Sequence, residues 1–122
     1  MANELNITLS LAYTKNGLNE AVKRSNLFRD LAGDGFSKNV QAVATTWESL
    51  DLGDIAADSV RYAYFQNLDE TNNIQLALDN AGAQIFATLQ PGDVALIPVE
   101  TGTLFAQANG AESNLFHALF EK

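Results

Sequence analysis

Apolar and polar residues alternate with a period of two along most of the chain, and this pattern constrains the fold more than any other feature. The longest run covers residues 5–13. Successive side chains of a β-strand point to opposite faces, so such alternation is typical of a strand with one buried face. Further runs occupy residues 40–47, 60–65, 74–79, 85–89, 94–97, 103–108 and 115–120.

Turn-forming residues separate these runs at intervals of about ten residues, as in antiparallel all-β domains. Asn16-Gly17 suits the positive φ angles of a tight hairpin turn, and Pro91-Gly92 stands where a type II turn needs Pro and Gly. The sequence therefore predicts a single all-β domain over residues 1–122, an antiparallel β-sandwich or jelly roll of about eight strands.

Residues 18–36 are the segment in which the strand pattern is least clear. Residues 18–24 fit one or two helical turns, and Leu27, Phe28 and Leu31 extend them at helical spacing. An irregular strand and loop fits equally well, so the prediction is an irregular or short helical insertion. Basic residues cluster in this segment, which we expect to be exposed and able to face an acidic partner.

Composition excludes several chemistries. The 122 residues suffice for one domain and contain no Cys, which excludes disulfides, thiolate metal sites and a cysteine nucleophile. A single histidine, His117, cannot form a multi-histidine metal site within one chain. The opening residues lack the basic and apolar regions of a signal peptide, and no apolar run is long enough for a spanning helix. We therefore expect a soluble protein made in a cytoplasm.

The charge is acidic and unevenly distributed. The net charge of −8 opposes binding to nucleic acid or to an anionic membrane, and residues 51–122 carry all of it. Between Thr71 and Ala111 only Asp79, Asp93 and Glu100 are charged. Two interpretations stay open for this segment: contact with another subunit, or a solvated face of Thr, Gln and Asn.

The polar residues do not form a recognisable catalytic set. His117 lies between Leu115 and Leu119 with no adjacent carboxylate or nucleophile, so we expect a hydrogen-bonded core or interface histidine. The cluster of Asp69, Glu70, Asn72 and Asn73 offers oxygen ligands for calcium but lacks the EF-hand spacing. Turns capped by their own side chains explain that cluster better, and they also explain Asp51, Asp54 and Asp58.

The aromatic residues offer one alternative function. Trp47, Tyr62 and Tyr64 have the flat apolar faces and polar tips that suit stacking against sugars, which would make the domain a carbohydrate-binding or receptor-binding module. Filling of a sandwich core is the commoner use of such residues. No phosphate-binding loop, nucleophile elbow or zinc-protease motif is present. The chain is therefore predicted to be non-enzymatic, with no catalytic residue, cofactor or metal.

Three strings of strand and turn residues occur in order within residues 60–121: Tyr62–Asn72 with its Asn-Leu-Asp-x-Thr-Asn, Phe86–Pro98 with its Leu-x-Pro-Gly-Asp turn, and Thr103–Ala108. Together they resemble small structural proteins of tailed bacteriophages. Residues 3–11 have a similar character, and residues 14–59 match poorly. The motifs are signatures of turns and strands, and the family has no catalytic residues to carry over.

This resemblance implies an all-β component of a virion, such as a capsid decoration (cement) protein or a head–tail or tail accessory protein. We expect a homo-oligomer, with a trimer favoured, that associates with the major capsid protein and with neither nucleic acid nor membrane. Such a protein is made in the cytoplasm of the bacterial host and resides in the virion. Self-association would also hide a charge-poor surface.

Overall fold

The computed structural model describes residues 4–33, 35–56, 58–100 and 103–122. All the regular structure in these residues is β-strand, which confirms the all-β prediction. Among the same residues, no helix is long and apolar enough to cross a membrane. The strands are β1 (Leu5–Lys15), β2 (Leu18–Arg29), β3 (Phe36–Val43), β4 (Glu48–Ser49), β5 (Val60–Asn67), β6 (Ile74–Ala77), β7 (Ile85–Leu89), β8 (Val94–Pro98), β9 (Phe105–Ala108) and β10 (Ser113–Glu121).

The chain divides into two compact units. Met1–Gly33 forms the hairpin unit, and Asp34–Lys122 forms the body unit. A single domain over residues 1–122 stays a prediction.

Strands β1 and β2 form a two-stranded antiparallel sheet in the hairpin unit. The turn between them has φ angles of 52° at Asn16 and 82° at Gly17, as the Asn-Gly pair predicts. Farther along, Ile7 pairs with Leu27 whereas Leu9 pairs with Arg24, so β2 carries an extra residue at this point. This β-bulge leaves the rest of the ladder regular.

Residues 18–29 are strand, so the helical alternative for this segment is not realised there. The physical reason is the turn at Asn16-Gly17, which sets Leu18 opposite Lys15 and brings the following residues into register with β1. Their backbone groups then find partners across the ladder, and this outweighs a weak local preference for helix.

The body unit consists of two four-stranded antiparallel sheets, in the orders β3-β10-β5-β8 and β4-β9-β6-β7. Counted from β3, these orders are 1-8-3-6 and 2-7-4-5, the arrangement of a jelly roll. The predicted sandwich or jelly roll is thus confirmed.

The core lies between the inner faces of these sheets. Alternate residues of each strand point into it, including Phe65 and Leu115 from one sheet and Ile74, Leu76 and Leu104 from the other sheet and its flank. All five side chains are completely buried. Burial of side chains of this size contributes roughly 1.5–3 kcal/mol each, which makes the core the main source of stability.

Candidate interaction surface

The sheet β3-β10-β5-β8 has a second apolar side, directed away from the core. We call it the outer face. Its members follow from the register, because residues directly opposite each other on neighbouring strands share a face. They are Phe36, Lys38, Val40 and Ala42 on β3, Asn114, Phe116, Ala118 and Phe120 on β10, Tyr62, Tyr64 and Gln66 on β5, and Val94, Leu96 and Pro98 on β8.

Aromatic and aliphatic side chains dominate the outer face. The rings of Phe36 and Phe120 lie 5.2 Å apart between centroids, and those of Tyr64 and Phe116 lie 5.9 Å apart in an edge-to-face arrangement. Both edge strands present apolar residues to solvent, with Phe36 55% and Val94 56% exposed. An antiparallel sheet that faces water on one side normally shows polar residues there, so this side has the composition of a covered face.

The outer side of the other sheet is different in chemistry. Gln75 on β6 pairs with Thr88 on β7 and with Gln107 on β9, so an uncharged polar row crosses three strands. These residues belong to the charge-poor segment, and the row fits the interpretation of a solvated polar face. Contact of the segment with another subunit stays a prediction.

Carboxylates gather at one end of the outer face. Asp69 and Glu70 follow the end of β5, Asp93 precedes β8, and Glu112 precedes β10. The pairings Gln66–Val94 and Asn67–Leu115 place these chain positions at the same end of the sheet. We call these four residues the acidic rim. A rim of one sign beside an apolar surface favours a partner with basic residues.

Asp69 also organises its turn. One of its carboxylate oxygens, Oδ2, accepts hydrogen bonds from the backbone N–H groups of Thr71 at 2.8 Å and Asn72 at 2.6 Å. The bond from Asn72 and, to a smaller extent, the bond from Thr71 lower the pKa of Asp69 below its usual value. This is the capped turn that the sequence predicts. No group of three or more His, Cys, Asp or Glu residues in the described ranges is placed to hold a metal ion.

His117 is completely buried on the inner side of the sheet. Its Nε2 lies 3.2 Å from Oε1 of Gln41 and donates to it, because a carbonyl oxygen only accepts. The same oxygen accepts the backbone N–H of Asp51 at 2.9 Å. Burial lowers the pKa of His117, and the negative charge of Asp51 offsets part of that effect. The contacts are those of a core histidine, with an amide oxygen as the partner.

The three residues of the sugar-stacking alternative do not lie on one surface. Tyr62 and Tyr64 belong to the outer face, where Tyr62 is buried and its ring contacts the Arg61 guanidinium at 4.8 Å. Trp47 lies against Gly82, in the connection between β6 and β7 of the opposite sheet. Stacking of a sugar on all three rings has no support in this geometry.

A cavity of about 400 Å³ opens beside the ends of β7 and β8. Its lining is apolar apart from Glu100, and one carboxylate without a nucleophile or second acid–base group forms no catalytic set. The lining residues are Leu78, Phe86, Ile97, Pro98, Val99 and Glu100.

Sequence reasoning missed the outer face as a whole, although one signal for it exists. In residues 115–120 apolar residues occur on both faces of the strand, with Leu115 and Leu119 on one face and Phe116 and Phe120 on the other. A continuous apolar run is typical of a strand that is covered on both faces. The apolar residues of β3 give no such signal in the sequence. Phe36 falls in the segment 18–36 and Val40 in the run 40–47, so the pattern does not place them on one strand.

Comparisons with known proteins give little. No family model matches the chain, and no curated protein matches it. Among solved structures, the crystal structure of Drosophila melanogaster CENP-C bound to CAL1 is similar at 11% identity, over 92% of this chain and 79% of that chain, with a TM-score of 0.37. A likeness of this size supports no inference about this chain.

Proposed function

We propose that this protein is a non-enzymatic structural component of a bacteriophage virion, of the capsid decoration type. In this proposal it works as a homo-oligomer, with a trimer favoured, and attaches to the major capsid protein. The observation that carries the proposal is the outer face, an aromatic surface on a β-sheet that is already buried on its other side.

The outer face supports self-association because its exposed apolar residues need cover. Phe36, Val40 and Val94 are each more than half exposed, and Lys38 is its only charged member. A stable interface buries about 800 Å² per partner and has an apolar centre with a polar rim. The outer face with its acidic rim has this organisation.

The resemblance of residues 60–121 supports the assignment to a virion. Its motif residues form turns in the structure. Gly92 has a φ of 83°, and the Asp93 N–H donates to the Gln90 carbonyl oxygen at 2.9 Å, as in the predicted type II turn. Motifs of this kind maintain a shape, which is what a shell component must supply.

Light scattering of the purified full chain tests the self-association. We expect a mass of about three times the 13.2 kDa of one chain. Val40→Lys places a charge on the outer face and should reduce the mass to that of one chain. Ile85→Lys is the matched control, since Ile85 is also exposed but lies on β7 of the other sheet. A monomeric wild type, or equal effects of both variants, would count against the proposal.

Co-sedimentation with purified phage capsids tests the second part. The wild type should pellet with capsids that lack their own decoration protein, with bound copies in a fixed ratio to the capsid protein. If the protein forms an oligomer but binds no capsid of a phage that carries its gene, the assignment to a virion is wrong and the self-association stands.

A further inference from the structure

The hairpin unit has one apolar face that is open to solvent. Residues opposite each other in the ladder share a face, so Leu9, Leu11 and Tyr13 of β1 lie beside Val22 of β2. Leu11 is 68% and Val22 is 65% exposed. The other side of the ribbon carries Ser10, Ala12, Thr14, Asn19, Ala21 and Lys23. We call the first side the hairpin face.

A two-stranded ribbon of this kind is at best marginally stable in water by itself. Stability requires a third strand or a packed apolar face. Each side chain of this size contributes roughly 1.5–3 kcal/mol when it passes from exposed to buried. The hairpin face therefore needs a surface that covers it.

Net charge indicates which surface is suited to cover the hairpin face. The hairpin unit has four basic and three acidic residues, which makes its net charge +1. The body unit has three basic and twelve acidic residues and a net charge of −9. Arg24 and Lys15 lie on the hairpin face, opposite Leu9 and Leu18, and Glu20 lies on it opposite Tyr13, so the charged residues of this face have a net charge of +1. An apolar ribbon with a net positive charge is complementary to an apolar sheet face that has carboxylates along one end.

We propose that the hairpin face of one copy docks on the outer face of a second copy. The inference rests on the proposed self-association and names the surfaces that form it. Leu11 and Val22 lie on the aromatic residues of the neighbour, and Lys15 or Arg24 approaches its acidic rim. One contact then covers both open apolar faces. Such a heterologous contact closes into a ring when its rotation permits, in agreement with a trimer.

Disulfide cross-linking tests this arrangement directly, because the natural chain has no cysteine. One full-length preparation carries Leu11→Cys, and a second with a different tag carries Val40→Cys on the outer face. After the two are mixed and oxidised, we expect a covalent dimer that contains both tags. Cross-linking requires Cα atoms within about 7 Å, so neighbouring positions on the same faces, Leu9 and Phe36, are tested as further pairs.

Thr14→Cys provides the control, since Thr14 is on the hairpin but on its polar side. The mixed dimer should form at least tenfold faster with Leu11→Cys than with Thr14→Cys. Equal rates for every pair would overturn the proposal. A Leu11→Cys/Val40→Cys chain that closes on itself at high dilution and yields only monomers would also overturn it.

Charge reversal separates this inference from the proposed function. Lys15→Glu with Arg24→Glu should weaken self-association about tenfold, and Glu112→Lys with Asp93→Lys in the neighbour should restore it. If Val40→Lys dissociates the oligomer but the hairpin variants do not, the self-association stands and the docking of the hairpin is wrong. If the wild type is a monomer, both are wrong.

Discussion

The side-chain N–H of Asn67 donates a 2.9 Å hydrogen bond to the Leu89 carbonyl oxygen, which joins the end of β5 in one sheet to the end of β7 in the other. The same amide nitrogen donates to the carbonyl oxygen of Asn72 at 2.9 Å, and Oδ1 accepts the N–H of Asp69 at 2.9 Å. Asn67 is buried, so these three bonds replace water. One side chain thus fixes the turn that carries half of the acidic rim.

Removal of this amide should destabilise the body unit. Asn67→Ala leaves buried backbone groups without partners, which costs about 1–3 kcal/mol for each group that water cannot reach. We expect a loss of about 2 kcal/mol or more in the free energy of unfolding, measured by urea denaturation. Asn80→Ala, at an exposed turn position, is the control and should change it by less than about 0.5 kcal/mol.

The packing of Trp47 on Gly82 gives a second prediction. A Cβ atom at Gly82 would lie 2.7 Å from Nε1 of Trp47, and the φ of 74° disfavours any other residue. Gly82→Ala should therefore lower stability and shift the fluorescence of Trp47, the only tryptophan. Gly92 has a similar φ of 83°, but a Cβ atom added there would have no other atom within 4 Å. Gly92→Ala should therefore lower the free energy of unfolding only through the unfavourable positive φ, by about 1–2 kcal/mol. Equal costs, with no spectral shift in Gly82→Ala, would contradict the contact.

Stability should fall in mildly acidic solution because of His117. Its pKa is lowered in the folded state by burial, so the unfolded chain takes up a proton more readily. The free energy of unfolding is then unaffected above pH about 6.5 and decreases as the pH falls from there toward the folded pKa. Urea midpoints at pH 7.5, 6.5 and 5.5 measure this decrease.

His117→Gln identifies the group responsible for that decrease. Glutamine retains a donor for Gln41 but does not titrate, and the chain has no other histidine. Between pH 7.5 and 5.5 the free energy of unfolding should change less in the variant than in the wild type. An unchanged slope would show that another group is responsible.

The carboxylate of Asp69 should affect stability in the same sense as His117, but at lower pH. Its folded pKa is lowered by the N–H groups of Asn72 and Thr71, so its stabilising effect is present above the unfolded value of about 4 and is lost as the pH falls through the folded pKa. Asp69→Asn should be less stable than the wild type at pH 7, and the two should converge as the pH falls through the folded pKa of Asp69. Glu70→Gln, which removes the exposed neighbouring carboxylate, is the matched control.

Several parts of the fold could be predicted from local sequence. The alternation over residues 5–13 places β1, and Asn16-Gly17 and Pro91-Gly92 place two turns, because Asn and Gly tolerate positive φ angles and Pro fixes the negative φ that precedes Gly in a type II turn. Other parts could not. β3 begins at Phe36, four residues before the predicted start at Val40, since its first residues are recruited by pairing with the end of β10. β4 contains only Glu48 and Ser49, which no periodicity can reveal.

The outer face was likewise only partly predictable from the sequence. A period of two sets which residues share a face of a strand, so local sequence is enough to place Phe116 and Phe120 on one side of β10 and His117 on the other. It did not determine that Phe36, Tyr64 and Val94 would join them, because the partner of each strand is chosen by long-range backbone pairing and burial. Alternation is identical for every antiparallel partner, so it carries no information about which strands are neighbours, and that choice follows from the packing of the whole body unit.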